Sequence, residues 1–126
     1  MNLQKLTQKS LEAVQNARDI AIEHGNQQLT QVHLFKSLLE QPEGLIPEML
    51  RTLEIPMAAL TDSVSNLVNG LPKVTGGIDP ERVYLSRELN DALTAAEKEA
   101  AAMQDEYVSV EHLFLGIFAK PEREIK

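Results

Sequence analysis

The chain repeats itself. Shifting the sequence by 79 residues without a gap lays Leu6 on Leu85, Ala13 on Ala92, Ala17 on Ala96, Ala21 on Ala100 and the run His33, Leu34, Phe35 on His112, Leu113, Phe114. Pro42, Glu43 and Ile46 meet Pro121, Glu122 and Ile125, so that ten of the 42 positions from Leu6 to Pro47 are identical, where composition alone gives roughly two or three. Conservative pairs, among them Thr7/Ser86, Val14/Leu93, Leu29/Val108, Thr30/Ser109 and Leu38/Ile117, fill the register between them. A duplication of this kind means two copies of one supersecondary unit that bury their apolar faces together. The chain is therefore read as one domain, with a first repeat over 1–69, a connection over 70–80 and a second repeat over 81–126.

Caps and periodicity make each repeat helical. Thr7 and Ser86 are N-caps for helices running to about His24 and Met103, with Gly25 closing the first as a left-handed residue. Their inner faces carry Ser10, Ala13, Val14, Ala17, Ala21 and Leu89, Ala92, Leu93, Ala96, Ala100 at helical spacing. Alanines at that spacing admit a close neighbour, and the expectation is that the halves pack face to face through these first helices, with 70–80 crossing between them. Thr30 and Ser109 open the second helices, whose core residues are Leu34, Phe35, Leu38, Leu39 and Leu113, Phe114, Ile117, Phe118, and which Pro42 and Pro121 stop. In the first repeat Pro47 and Pro56 each open a further helix, to about Leu53 and to the residue before Gly70. The second repeat runs out near Ile125 and is read as incomplete, so its second-helix face should be less covered than its counterpart. No long alternating pattern is present, and the fold class is all-α with two pseudo-symmetric repeats.

Composition narrows the chemistry. Nineteen acidic against twelve basic residues give a net charge of −7, which repels a phosphate backbone and argues against nucleic acid as a partner. Without cysteine there is no disulfide or thiolate chemistry. His24, His33 and His112 lack the spacing and the three or four ligands that zinc wants, and the latter two read as helix-start groups. With no nucleophile elbow or phosphate loop, no metal, cofactor or catalytic group is assigned to this chain. Apolar runs fall short of a membrane span and no signal pattern opens the sequence, so a soluble chain that makes no membrane contact is expected.

The stretches "KLTQKSLEAVQNARDIAIEHGNQQLTQVHLFKSLLEQPEGLIPEML", "GLPKV" and "DEYVSVEHLFLGI" resemble the Clp N-domain family, with the "GNQQL", "GLIPEML" and "LPKV" segments most similar to its disaggregase branch. The resemblance implies a mobile module on a hexameric, cytoplasmic AAA+ ATPase. ATP and magnesium are then held by domains outside this segment, and the N-domain engages unfolded or aggregated polypeptide. Carried over residue by residue, the polar binding positions are Thr7, Asp105 and Glu111, while the family's apolar groove falls on Ala95, Glu99 and His112, which are not leucines here. The alternative is a protease-ATPase N-domain that docks adaptor or co-chaperone proteins or reads phosphoarginine. Paired reading needs a glutamate before the histidine in both repeats; here Glu111 is matched by Val32. Binding of unfolded chains is expected to favour basic segments and to weaken with salt.

Overall fold

The computed structural model describes residues 3–41, 44–74, 79–119, 121 and 125, and within them the helices follow the duplication to the residue. Helix α1 (Gln8–Glu23) and, 79 residues on, α5 (Arg87–Ala102) have 16 residues each. Helices α2 (Gln31–Glu40) and α6 (Val110–Ala119) have ten each. The first half adds α3 (Leu45–Thr52) and α4 (Met57–Asn69). Two-residue strands, β1 (Gln28–Leu29) and β2 (Tyr84–Leu85), and short 3-10 turns at Leu3–Lys5 and Pro80–Arg82 complete the described elements.

Local chemistry explains why the boundaries recur. The Thr7 hydroxyl accepts the Ser10 N–H at 3.2 Å and the Ser86 hydroxyl accepts the Leu89 N–H at 3.0 Å, each satisfying one of the amides that a helix start leaves open. At the C-terminal ends Gly25 has φ 71° and Gln104 has φ 60°. Beyond them Asn26 and Asp105 donate their N–H groups to Ala21 and Ala100 carbonyls, both at 2.8 Å, the six-to-one closure of a left-handed helix stop. The histidines then start the second helices: His33 Nδ1 accepts the Thr30 N–H and His112 Nδ1 the Ser109 N–H, each at 2.9 Å. An imidazole here does what glutamate does in a capping box.

Two expectations change. Helix α3 begins two residues before Pro47, which therefore sits inside its first turn, where a missing N–H is harmless. More consequentially, the alanine faces do not meet each other; each receives the second helix of its own half. Ser37 Oγ donates to the Ala13 carbonyl at 2.6 Å, fastening α2 to α1, and Gly116 brings α6 against the backbone of Ala92 and Ala96. The halves join instead through α2 and α6, where Phe35 meets Phe114 and Phe118 edge-on at 5.9 and 5.7 Å between ring centroids. They are also laced together by their lead-in segments. Leu6 pairs in parallel with Val108, and Leu85 of β2 pairs in parallel with Leu29 of β1. The second pairing is the first with each partner moved by 79 residues in opposite senses, so the crossing is itself pseudo-symmetric.

The helix-stop reading of Pro42 lies outside the described residues, as do positions 75–78 of the connection. Residues 71–74 run along the first half. Leu34 and Leu38 are buried and so are Leu113 and Ile117, but Phe118 is 45% exposed where Leu39 is 7% exposed. Phe114 is half-buried where Phe35 is buried.

Candidate functional site

Thr7, Asp105 and Glu111 gather around the α5–α6 connection because the crossing strand puts them there. The Thr7 N–H donates to the Val108 carbonyl at 3.0 Å and the Val108 N–H to the Lys5 carbonyl at 2.7 Å, tying the start of α1 to the segment that carries the two carboxylates. From there a chain of contacts runs through one histidine. Ser109 Oγ donates to Glu111 Oε1 at 2.6 Å, lies 3.0 Å from His112 Nδ1, and His112 Nε2 lies 3.0 Å from Asp105 Oδ2.

The three residues are not equal. The Thr7 hydroxyl is spent on Ser10, whose amide it accepts and whose hydroxyl it contacts at 3.0 Å, so its side chain acts as a cap. Asp105 and Glu111 are exposed and present oxygen atoms to solvent. Glu111 occupies the first turn of α6, where the helix dipole favours a carboxylate. Beside Asp105 a groove of about 200 Å³ is lined by Lys5, Glu97, Ala100, Ala101, Glu106 and Val108. Three carboxylates against one ammonium make it an acidic depression.

Comparison of the two halves shows what has diverged. His33 is fully buried, with Nε2 3.0 Å from Asn26 Oδ1. Burial lowers its pKa to about 4, with His24 nearby pushing the same way. His112 is equally enclosed, and its partner, at the position equivalent to Asn26, is the Asp105 carboxylate, with Oδ2 3.0 Å from Nε2.

The apolar groove carried over to Ala95, Glu99 and His112 does not form there, since His112 is buried and Glu99 is half-buried on α5. The apolar depression is elsewhere: about 370 Å³ between α1 and β2, lined by Leu11, Val14, Leu29, Val83, Leu85 and Leu93, with Gln15 and Arg18 at its rim. Its sequence signal is Leu11, which stands at the edge of the α1 apolar face. Among the described residues no group of three or more His, Asp or Glu side chains could hold a metal ion, and no helix is long and apolar enough to cross a membrane.

Residues 5–126 match the Clp repeat (R) N-terminal domain. The chain belongs to this family. Among curated relatives, the chaperone protein ClpB of Bacillus anthracis is 37% identical over 116 residues, 91% of this chain and 13% of that protein. ClpB of Clostridium tetani is 35% identical over 127 residues, all of this chain and 15% of that protein. This Clp N-domain thus spans about an eighth of the length of the curated relatives it matches. Among solved structures it resembles the Hsp104 N-terminal domain from Candida albicans, with a TM-score of 0.83 at 19% identity, covering 92% of this chain and 75% of that one. The N-terminal domain of ClpV1 ATPase from E. coli gives 0.81 at 23% identity, covering 94% and 71%. At those identities the likeness is one of fold.

Proposed function

We propose that this Clp N-domain is the substrate-engaging module of a ClpB-type disaggregase, binding unfolded or aggregated polypeptide and passing it to ATP-hydrolysing rings carried by the rest of a longer, hexameric, cytoplasmic protein. The observation that carries the reading is similarity to ClpB chaperones along 91 to 100% of the chain. The exposed pair Asp105 and Glu111 supports it, because two carboxylates on a solvent-facing connection suit weak, charge-assisted capture of many sequences. Thr7 contributes by positioning: its cap and its bond to Val108 hold that connection in place. A paired phosphoarginine reader fits less well, since Val32, the partner of Glu111, is apolar and fully buried.

Fluorescence anisotropy tests this with a labelled, permanently unfolded casein-like polypeptide and a folded control of the same size and charge. Binding of the unfolded chain alone, weakened in both Asp105→Ala and Glu111→Ala, is the expected result. Equal binding of the folded control, or none of the unfolded one, overturns it.

A further inference from the structure

The connection between the repeats leaves α4 through Asn69–Gly70, the one Asn-Gly pair in the sequence. In that dipeptide the thermolabile asparagine amide is open to attack by the next backbone nitrogen, because glycine has no Cβ to shield it. Both residues are exposed. The fold does not itself ask for glycine here. Gly25 has φ 71°, and a Cβ on Gly44 or on Gly116 would come within 2.9 or 2.3 Å of a neighbouring atom. Gly70, by contrast, sits at φ −84° and ψ −6°, and a Cβ on it would meet the Asn66 carbonyl oxygen at 3.5 Å, an ordinary contact. What the missing side chain leaves open is the approach to the Gly70 nitrogen.

Two contacts govern this peptide group. Its N–H, on Gly70, is shared between the Asn66 and Leu67 carbonyls at 3.1 and 3.2 Å, and is held there while the last turn of α4 is closed. Its carbonyl, on Asn69, accepts from the Lys73 ammonium at 3.3 Å. A cation on the carbonyl draws electron density out of the amide and favours the deprotonated nitrogen. Lys73 is kept in place by the segment that carries it, since Asn26 Nδ2 donates to the Pro72 carbonyl at 2.9 Å and the Val74 N–H donates to the Gly25 carbonyl at 3.0 Å. Neither fastening involves the last turn of α4, so the ammonium stays beside the peptide when that exposed helix end frays.

We propose that Asn69–Gly70 is a self-modification site, gated by the last turn of α4 and assisted by Lys73. When the turn opens, hydroxide takes the Gly70 amide proton and the nitrogen lone pair forms a bond to Cγ of Asn69. The Cγ–Nδ2 bond then breaks, and the side-chain nitrogen leaves as ammonia with a proton supplied by water, closing an imide ring. A second water opens the ring on either side: cleavage at Cγ leaves aspartate, and cleavage at the backbone carbonyl leaves isoaspartate, with the main chain rerouted through Cγ. Nothing is oxidised or reduced, and the sum is amide plus water giving carboxylic acid plus ammonia. Either product places a new carboxylate at the C-terminal end of α4, where the helix dipole disfavours it. Isoaspartate also adds a backbone carbon between α4 and the segment that Gly25 and Asn26 hold. The modified chain carries a permanent record of the time that the end of α4 has spent open, together with a loosened connection between the repeats.

The test holds the folded chain at mildly alkaline pH, below its melting temperature, and follows each asparagine by peptide mass spectrometry, with electron-transfer fragmentation to tell isoaspartate from aspartate. The same chain in urea gives the rate without the fold. Asn69 in the folded chain is expected to convert to both products while Asn16, Asn26, Asn66 and Asn90 stay amides, at a rate roughly tenfold below that in urea. Gly70→Ala, whose methyl group the structure accommodates, should slow the reaction roughly tenfold in both states, a barrier rise of about 1.4 kcal/mol. Lys73→Met should slow it roughly two- to fivefold in the folded chain and leave the urea rate unchanged. Thermal melts establish that both variants fold. No conversion of Asn69 in the folded chain over a time that consumes the urea sample, or conversion no faster than at the other asparagines, overturns the proposal. A Lys73→Met chain that reacts as fast as wild type, or faster, overturns the part assigned to Lys73, whose bond would then only hold the turn shut.

Discussion

At the scale of single residues, the two halves act as each other's control. Gln104 holds a left-handed backbone conformation that its counterpart Gly25 adopts without a Cβ. For an L side chain that region costs roughly 1 kcal/mol or more, offset partly by the greater entropy that glycine loses on folding. Gln104→Gly is therefore expected to raise stability by about 0.5–1 kcal/mol in urea melts, and Gly25→Ala to lower it; a destabilised Gln104→Gly would show that the Gln104 side chain contributes contacts of its own. His33 supplies a pH signature. Its pKa in the fold is about 4, against about 6.5 when unfolded, so the unfolded chain binds the extra proton first. The stability this histidine contributes is whole above pH 6.5 and drains away as pH falls toward 4, by up to about 3 kcal/mol. Urea melts between pH 7 and 5 should show this slope, and His33→Gln should flatten it. An unchanged slope would mean that His33 is not the group responsible.

Among the elements, the helices were legible because their signals are local: Thr7, Ser86, Thr30 and Ser109 as starts, Gly25 as a stop, and alanine at every fourth position. What the sequence left hidden is the partner of each face, because an alanine stripe says only that something approaches closely. Gly116 settles it here. A Cβ at Gly116 would lie 2.3 Å from the Ala92 carbonyl oxygen and 3.1 Å from the Ala96 nitrogen, both backbone atoms that cannot step aside. At the equivalent place Ser37 fits and uses its hydroxyl on Ala13, so α6 lies closer to α5 than α2 does to α1. Gly116→Ala is expected to cost about 1–3 kcal/mol by prying α6 from α5, read as a fall in melting temperature. Ser37→Gly, by removing a buried hydrogen bond without a clash, should cost about 1 kcal/mol; a Gly116→Ala melt matching wild type would contradict the close approach. The carried-over apolar groove failed for a related reason. Ala95, Glu99 and His112 are placed by helix register, and register turned the histidine inward as a cap for Ser109.

For the molecule as a whole, the question is whether two repeats make two folding units. Among the described residues, the first-half segment before α1 pairs with Val108, and β2 of the second half pairs with β1 of the first. Each half thus supplies a strand that the other half's connection needs, across most of the chain's length. Phe35 then stands in the middle, 7% exposed, with two rings of the opposite half edge-on to it. Removing such a ring forfeits both its burial and its aromatic pairs, about 3–5 kcal/mol, whereas Phe118, nearly half exposed, has much less to lose. Phe35→Ala is expected to lower the stability of both halves in one transition, and native-state hydrogen exchange should show α1 and α5 amides losing protection together. Phe118→Ala should cost only about 1 kcal/mol and leave that cooperativity intact. If α5 and α6 kept their protection in Phe35→Ala while α1 and α2 lost theirs, the crossing strands would be decoration and the repeats independent. The laced strands argue the other way, since neither half can close its own core edge without the segment that its sister provides.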